Sequence, residues 1–132
     1  MTQHRVERAL ADTSLFIAQE SGRPLAGTAP MQIAISYVTI GELRAGVLAA
    51  SNPRARARRL ETLTRAESMQ PLPIDADVAR AWAELRVALR DAGRRMLVND
   101  SWIAATAIAL GIPVVTQDAD YDDVPGLDVL RV

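Results

Sequence analysis

Short apolar runs alternate along the chain with amphipathic segments of helical period. The runs rich in apolar and β-branched residues predict strands over residues 6–11, 31–38, 112–116 and 127–132, with a short edge strand over 71–74. No hairpin turn joins consecutive strands. This alternation predicts an α/β fold in which a central parallel sheet of about five strands carries helices on both faces.

Helices are predicted to begin at residues that cap helix N-termini and to end at glycine. The predicted starts are Asp12, Thr39, Asn52, Asp75 and the pair Asn99-Asp100. Thr39 and Glu42 also have the Thr-x-x-Glu spacing of a capping box, in which the two side chains satisfy backbone N–H groups of the first turn. Gly93 and Gly111 are predicted to end the last two helices.

Four acidic residues fall where a predicted strand ends or a helix begins: Asp12, Glu42, Asp100 and Asp118. In an open parallel sheet such positions converge on one edge, outside the carboxyl ends of the strands. Carboxylates crowded there repel one another, and a hard divalent cation such as Mg²⁺ or Mn²⁺ relieves the repulsion while it binds phosphate oxygens. The combination predicts metal-dependent phosphoryl chemistry, although each acid taken singly also suits a helix cap or an acidic loop.

Composition narrows the possible chemistry. The chain has 132 residues, which suits one domain, and no apolar run approaches the roughly 20 residues of a membrane span. Cysteine is absent, all 15 basic residues are arginine, and the single histidine is His4. Thiolate, lysine and histidine-triad mechanisms are therefore excluded or disfavoured, which leaves carboxylates, hydroxyls and arginine. Without a signal-peptide pattern, a soluble cytoplasmic protein is expected.

Four segments resemble the PIN-domain ribonucleases, and most closely the VapC toxins of bacterial toxin–antitoxin pairs. They are DTS at 12–14, TIGEL at 39–43, NDSWIAA at 99–105 and VVTQDADY at 114–121. The resemblance runs the length of the chain, and implies one PIN domain over residues 1–132. It further implies an endoribonuclease dependent on Mg²⁺ or Mn²⁺, usually a homodimer, held inactive by a cognate VapB-type antitoxin.

The resemblance also assigns roles to residues. The family's acidic quartet maps onto the four acids named above, with Asp12, Asp100 and Asp118 holding the principal metal ion. Glu42 would help to hold a second ion or orient the attacking water. Asp120 is an auxiliary to Asp118 in the fourth motif, where either aspartate is a possible ligand. The hydroxyls that would orient carboxylates or a phosphate are those of Thr13, Ser14 and Thr116.

Arginines give two candidate RNA contacts. Arg54, Arg58 and Arg65 share one face of a predicted helix and would form a basic ridge along a phosphate backbone. A solvated helix face interrupted by Glu61 explains the same pattern. Arg94 and Arg95, just before the third motif, are the second contact.

Two other functions use the same residues. One is a different metal-dependent phosphoesterase that acts on DNA or a small molecule. The other is a PIN-like protein without activity that serves only as a binding partner. Retention of all four acids disfavours the inactive protein, and the choice of nucleic acid requires an assay.

Overall fold

The computed structural model describes residues 8–24 and 32–132. Four parallel strands form one sheet in the order β2-β1-β3-β4. The strands are β1 (Arg8–Ala11), β2 (Gln32–Ala34), β3 (Val114–Thr116) and β4 (Val129–Arg131). The predicted parallel α/β fold is confirmed, with four strands in the described residues where about five were expected.

Five α-helices connect and cover these strands. They are α1 (Thr13–Glu20), α2 (Tyr37–Leu48), α3 (Pro53–Glu67), α4 (Ala76–Asp91) and α5 (Val98–Leu110), followed by a short 3₁₀ turn, Ala119–Tyr121. Among the described residues, none of these helices is both long and apolar enough to cross a membrane. The predicted caps Asn52 and Asp75 accept hydrogen bonds from the first turns of α3 and α4, and Gly111 ends α5 in the left-handed conformation.

The two faces of the sheet carry separate hydrophobic clusters because successive side chains of a strand point to opposite sides. Leu10 and Val114 pack with α4 and α5, whereas Ala9 and Val115 pack with α1, α2 and α3. All four side chains are fully buried. The helix α5 adds Ile103 to the first cluster, and it contacts both central strands.

The second predicted strand is too long. It was expected to span residues 31–38, but β2 ends at Ala34 and Ser36 already caps α2, its Oγ accepting a hydrogen bond from the Val38 N–H at 3.0 Å. The capping box is therefore wrong: Thr39 lies inside α2, fully buried, and Glu42 is in the second turn. The helix begins earlier because Ser36, enclosed in an apolar run, supplies the cap.

Three smaller predictions also change. The edge strand expected over residues 71–74 is a single parallel bridge between Ser36 and Leu72. The helix α5 starts after Leu97, so Asp100 lies in its first turn and does not cap it. Asp12 occupies the N-cap position of α1, but its side chain makes no capping hydrogen bond. Residues 6, 7 and 31, which were assigned to strands, lie outside the described residues.

The helices α4 and α5 meet through an aromatic contact. The rings of Trp82 and Trp102 stack with centroids 4.3 Å apart and planes 4° from parallel. The indole N–H of Trp82 donates a hydrogen bond to Ser101 Oγ at 3.0 Å, and Ser101 Oγ donates to the Val98 carbonyl at 2.6 Å. These contacts fix the first turn of α5, which carries Asp100, against α4.

Candidate active site

Asp12 follows the last residue of β1, a central strand, and is only 4% exposed. Its Oδ1 accepts a hydrogen bond of 2.6 Å from Ser14 Oγ. Burial raises the pKa of Asp12 to about 6. Hydrogen bonds from Ser14 and Thr116 oppose this rise, and the charges of Asp100 and Asp118 add to it. A buried carboxylate with neighbouring negative charges is a candidate for cation binding.

Ser14 and Thr116 join the ends of the two central strands. Ser14 Oγ accepts a hydrogen bond from the Gln117 N–H at 3.1 Å and lies 3.3 Å from Thr116 Oγ1. Thr116 is fully buried, and its Oγ1 accepts from the Asp118 N–H at 2.8 Å. The hydroxyls predicted to orient carboxylates therefore lie beside Asp12 and hold the backbone that carries Asp118.

Asp100 is held by a residue that sequence reasoning missed. Tyr121 is fully buried, and its hydroxyl donates a hydrogen bond to Asp100 Oδ1 at 3.1 Å. Burial raises the pKa of Asp100 to about 6; the hydrogen bond from Tyr121 opposes this rise, and the charges of Glu42, Asp118 and Asp120 add to it. Burial and the charge of Asp100 also raise the pKa of Tyr121, so its hydroxyl remains a donor at neutral pH. The only sign of this role in the sequence is the position of Tyr121 directly after the acidic residues of the fourth motif.

Glu42 is half-buried and reaches the site from α2. Thr13 Oγ1 donates a hydrogen bond to Glu42 Oε1 at 2.7 Å and lies 3.3 Å from Thr39 Oγ1. Both threonines thus line the space between α1 and α2. The glutamate predicted to complete a capping box instead faces the hydroxyl at the start of another helix.

Asp118 and Asp120 occupy different environments. Asp118 is half-buried, and its Oδ1 accepts from the Asp120 N–H at 3.1 Å, which caps the 3₁₀ turn. Asp120 is exposed. The charges of both raise the pKa of Asp100, and that of Asp118 also raises the pKa of Asp12.

The fold therefore brings the four predicted acids into one electrostatic neighbourhood at the carboxyl end of the central strands. The side chains supply only hard oxygen donors, and the negative charges of neighbouring acids add to the burial that raises the pKa values of Asp12 and Asp100. This donor set fits a hard divalent cation. In residues 8–24 and 32–132, no group of three or more acidic or histidine side chains is arranged to hold a metal ion as it stands. Each of the four acids accepts a hydrogen bond, as carboxylates that bind a metal ion usually do.

The predicted RNA contacts fall in two places. Arg54, Arg58 and Arg65 are exposed on α3, where their side chains make no hydrogen bond or ion pair within the described part of the chain. Arg94 and Arg95 line a surface cavity of about 430 Å³ together with Asp120. Arg94 Nη2 also donates a hydrogen bond to the Asp120 carbonyl at 3.0 Å. The second pair therefore lies beside the acidic site.

Comparison with known proteins identifies the family. The family model described as PIN domain matches residues 9–127. The chain belongs to the PIN-domain family. Ribonuclease VapC4 of Mycobacterium tuberculosis is 51% identical over 131 residues, which cover 96% of this chain and 98% of VapC4. Ribonuclease VapC5 of the same organism is 48% identical over 125 residues, covering 92% of this chain and 93% of VapC5. Within the PIN-domain family, the chain is thus a relative of the VapC ribonucleases.

Solved structures support the same placement. The VapBC-5 toxin–antitoxin structure from Mycobacterium tuberculosis superposes with a TM-score of 0.84 at 43% identity, covering 96% of this chain and 99% of that chain. The FitAcB structure from Neisseria gonorrhoeae superposes with a TM-score of 0.75 at 26% identity, covering 93% and 96%. The resemblance to VapC-type PIN-domain ribonucleases and the predicted fold class are both confirmed.

Proposed function

We propose that the protein is a metal-dependent endoribonuclease and the toxin of a toxin–antitoxin pair, with one PIN domain over residues 1–132. The observation that carries the proposal is the acidic neighbourhood around Asp12, at the ends of the central strands of a fold shared with VapC ribonucleases. The proposed reaction is hydrolysis of an RNA phosphodiester bond by water. No histidine is needed for it, which agrees with a chain whose single histidine is His4.

Divalent-metal dependence is general among PIN-domain ribonucleases of this type. We propose Mg²⁺ or Mn²⁺, with Asp12, Asp100 and Asp118 as the principal ligands and Glu42 and Asp120 as further acidic groups. When bound, such an ion lowers the pKa of a water molecule and offsets the charge that develops on the phosphorus centre. Mutual repulsion of the carboxylates would fall at the same time.

Residues of the chain itself orient the reacting groups in this proposal. Ser14 holds Asp12, and Thr116 holds the backbone of Asp118, so the strand-end carboxylates are aimed before substrate arrives. Tyr121 restrains Asp100, and Thr13 restrains Glu42. Such hydrogen bonds to a ligand carboxylate narrow its orientations and typically support metal affinity and activity.

The proposed partners follow from the relatives. Their structures include toxin–antitoxin complexes such as VapBC-5, which supports a VapB-type antitoxin as the partner. We further propose a homodimer, an RNA substrate and, because that substrate is RNA, action in the cytoplasm. The ridge of Arg54, Arg58 and Arg65 and the pair Arg94 and Arg95 are the proposed RNA contacts.

The assignment is tested by Asp100→Asn and Asp12→Asn, which keep side-chain shape but remove a charge. Cleavage of a structured RNA in Mg²⁺ or Mn²⁺ should fall by several orders of magnitude while the circular dichroism spectrum is unchanged. Asp128→Asn is the matched control because Asp128 is exposed and immediately precedes β4. It therefore lies at the amino ends of the parallel strands, whereas the proposed site lies at their carboxyl ends. This variant should cleave RNA like the wild type.

The same assay separates the alternative functions. Cleavage of single-stranded DNA of the same sequence, with RNA left intact, would identify a different phosphoesterase. Wild-type cleavage by Asp100→Asn would contradict the proposed site. Glu42→Gln should also lose activity.

Metal binding is tested by thermal melting. Because the ion binds the folded arrangement, the melting temperature should rise across a Mn²⁺ series relative to EDTA. At 100 times the dissociation constant, the gain in the free energy of unfolding is about 2.7 kcal/mol. Asp100→Asn should abolish the response, and Asp128→Asn should retain it. A wild-type melting curve indifferent to millimolar Mn²⁺ would contradict a metal site.

A further inference from the structure

Four arginines surround a surface cavity of about 430 Å³ at the C-terminal end of α4. They are Arg86, Arg90, Arg94 and Arg95, and the apolar part of the wall comes from Leu89 and Met96. We name this feature the arginine cavity. Sequence reasoning selected Arg94 and Arg95 but not Arg86 or Arg90, which lie one helical turn apart on α4.

The arginine cavity has a strong excess of positive charge. Within the described part of the chain, the residues that line it include no acid. Arg90 forms one ion pair, Nε to Asp91 Oδ1 at 3.5 Å, in which both side chains are more than two-thirds exposed. An exposed pair of this kind offsets little of the arginine's charge. The C-terminus of α4 contributes only about half a negative charge, so the four guanidinium groups dominate the field.

The first guanidinium of the cavity is held in place by an aromatic ring. Arg86 Cζ lies 5.6 Å from the centroid of the Trp82 ring, within range of a cation–π interaction. Trp82 is in turn stacked on Trp102 of α5. Arg94 is fixed by its hydrogen bond to the Asp120 carbonyl. Half of the cationic wall is thus restrained before any ligand binds, which reduces the entropic cost of binding.

The arginine cavity adjoins a second cavity that reaches Asp120, beside the acidic site. This second cavity shares Arg94, Arg95 and Met96 with it and ends at Ala119 and Asp120. The charge of Asp120 acts on Asp100. A strand of nucleic acid whose scissile phosphate lies at the acids would therefore carry a neighbouring phosphate past the shared arginines.

We propose that the arginine cavity binds a backbone phosphate of the RNA strand beside the scissile bond, with Arg86 and Arg90 as the outer contacts and Arg94 and Arg95 as the inner ones. This inference rests on the proposed ribonuclease function. Planar guanidinium groups pair with phosphate oxygens through two parallel hydrogen bonds, and the cavity volume is within the range of ordinary ligand sites. The contact reads the backbone and not the bases.

Fluorescence anisotropy with a labelled single-stranded RNA in EDTA tests the binding step without cleavage. Arg86→Gln/Arg90→Gln should weaken binding about tenfold at low salt. It should also reduce the magnitude of the slope of log K against log salt by up to about 0.7, the contribution of one phosphate contact to a single strand. Both arginines are exposed, so the melting temperature should be unchanged. Arg80→Gln is the control because Arg80 lies on the same helix and does not line the cavity.

The outcomes separate this inference from the function on which it rests. A double variant with wild-type affinity and salt slope overturns the inference, whatever the protein cleaves. A variant that keeps its RNA affinity but loses an acidic protein partner also overturns it, because the cavity would then bind protein. Loss of RNA affinity in the double variant but not in Arg80→Gln supports it. If, with that result, the wild-type protein cleaved no RNA with any metal, the phosphate site would stand and the ribonuclease proposal would fall.

Discussion

The acidic neighbourhood has two halves that are built differently. Asp12 and Asp118 stand at the ends of adjacent central strands, where Ser14 and Thr116 join side chains to backbone N–H groups. Asp100 and Glu42 come from helices, and the hydrogen bond described for each is donated by one side-chain hydroxyl of another element. A network of hydrogen bonds therefore positions the carboxylates of the first half, whereas a single hydrogen bond from a hydroxyl positions each carboxylate of the second half.

This difference indicates how the site would adapt to a cation. In the strand-end half Asp12 is buried, and the hydroxyl network restrains Asp12 and the backbone of Asp118, so this half would act as a fixed reference for coordination. The helical half is more easily rearranged, because breaking one hydrogen bond frees each carboxylate. Among the hydroxyl residues that orient the acids, we therefore expect substitutions in the strand-end network to affect activity most.

The strand-end network is broken most directly by Ser14→Ala. It removes the donor to Asp12 and the acceptor of the Gln117 N–H, so cleavage should fall about 10- to 100-fold in kcat/KM. Ser21→Ala is the control, since Ser21 also lies near α1 but only donates to helix carbonyls. Equal losses in the two variants would mean that the defect is one of helix stability.

The helical half is tested by Tyr121→Phe, which removes the donor to Asp100 and keeps the buried ring. We expect about a tenfold loss of kcat/KM, with weaker Mn²⁺ binding by calorimetry. Tyr37→Phe is the control, because Tyr37 is 53% exposed. A loss larger than that of Ser14→Ala would reverse the ranking of the two halves.

The pKa values of Asp12 and Asp100 can be compared through the pH dependence of stability in the metal-free protein. The pKa of each rises from 3.8 to about 6 on folding, so the folded state holds these protons more tightly than the unfolded chain. Their contribution to stability is full below pH 3.8 and is lost as pH rises through about 6. In EDTA, Asp12→Asn and Asp100→Asn should each become more stable relative to wild type as pH rises from 4 to 7, on the order of 1 kcal/mol.

Urea unfolding at several pH values measures this change. Asp128→Asn, which alters an exposed aspartate, provides the baseline. Variants whose stability relative to wild type did not change with pH would show that burial does not raise these two pKa values.

The smallest effect is expected for Thr13→Val. Glu42 is half-buried, so water can replace the lost hydroxyl, and we expect kcat/KM to fall by less than about tenfold. Thr64→Val, which alters an exposed threonine that donates to its own helix, is the control. A loss as large as that of Ser14→Ala would show that Glu42 is held as tightly as Asp12.

Local sequence patterns predicted the sheet and the convergence of the acids, because strand ends and helix starts leave strong signals. The cap at Ser36 was missed since it lies in an otherwise apolar run, and the more conspicuous Thr39 and Glu42 proved to face Thr13 instead. Tyr121 was missed for a different reason. Its partner Asp100 is 21 residues away, and such a contact depends on how α5 packs against the following loop.

The arginines show the same limit. Helical spacing grouped Arg54, Arg58 and Arg65 correctly on one exposed face. The arginine cavity combines residues of α4 with the loop that follows it, so only the turn after Asp91 brings them together. Periodicity describes one helix at a time and carries no information about that turn.

The stacked pair of Trp82 and Trp102 has an optical consequence. These are the chain's two tryptophans, so all of its indole emission comes from the contact between α4 and α5. Trp102 is two residues beyond Asp100, and the cavity arginine Arg86 lies over the other ring. The unmodified protein thus carries a built-in fluorophore between its acidic and basic surfaces, and stopped-flow emission can time the arrival of an ion or an RNA strand without a label.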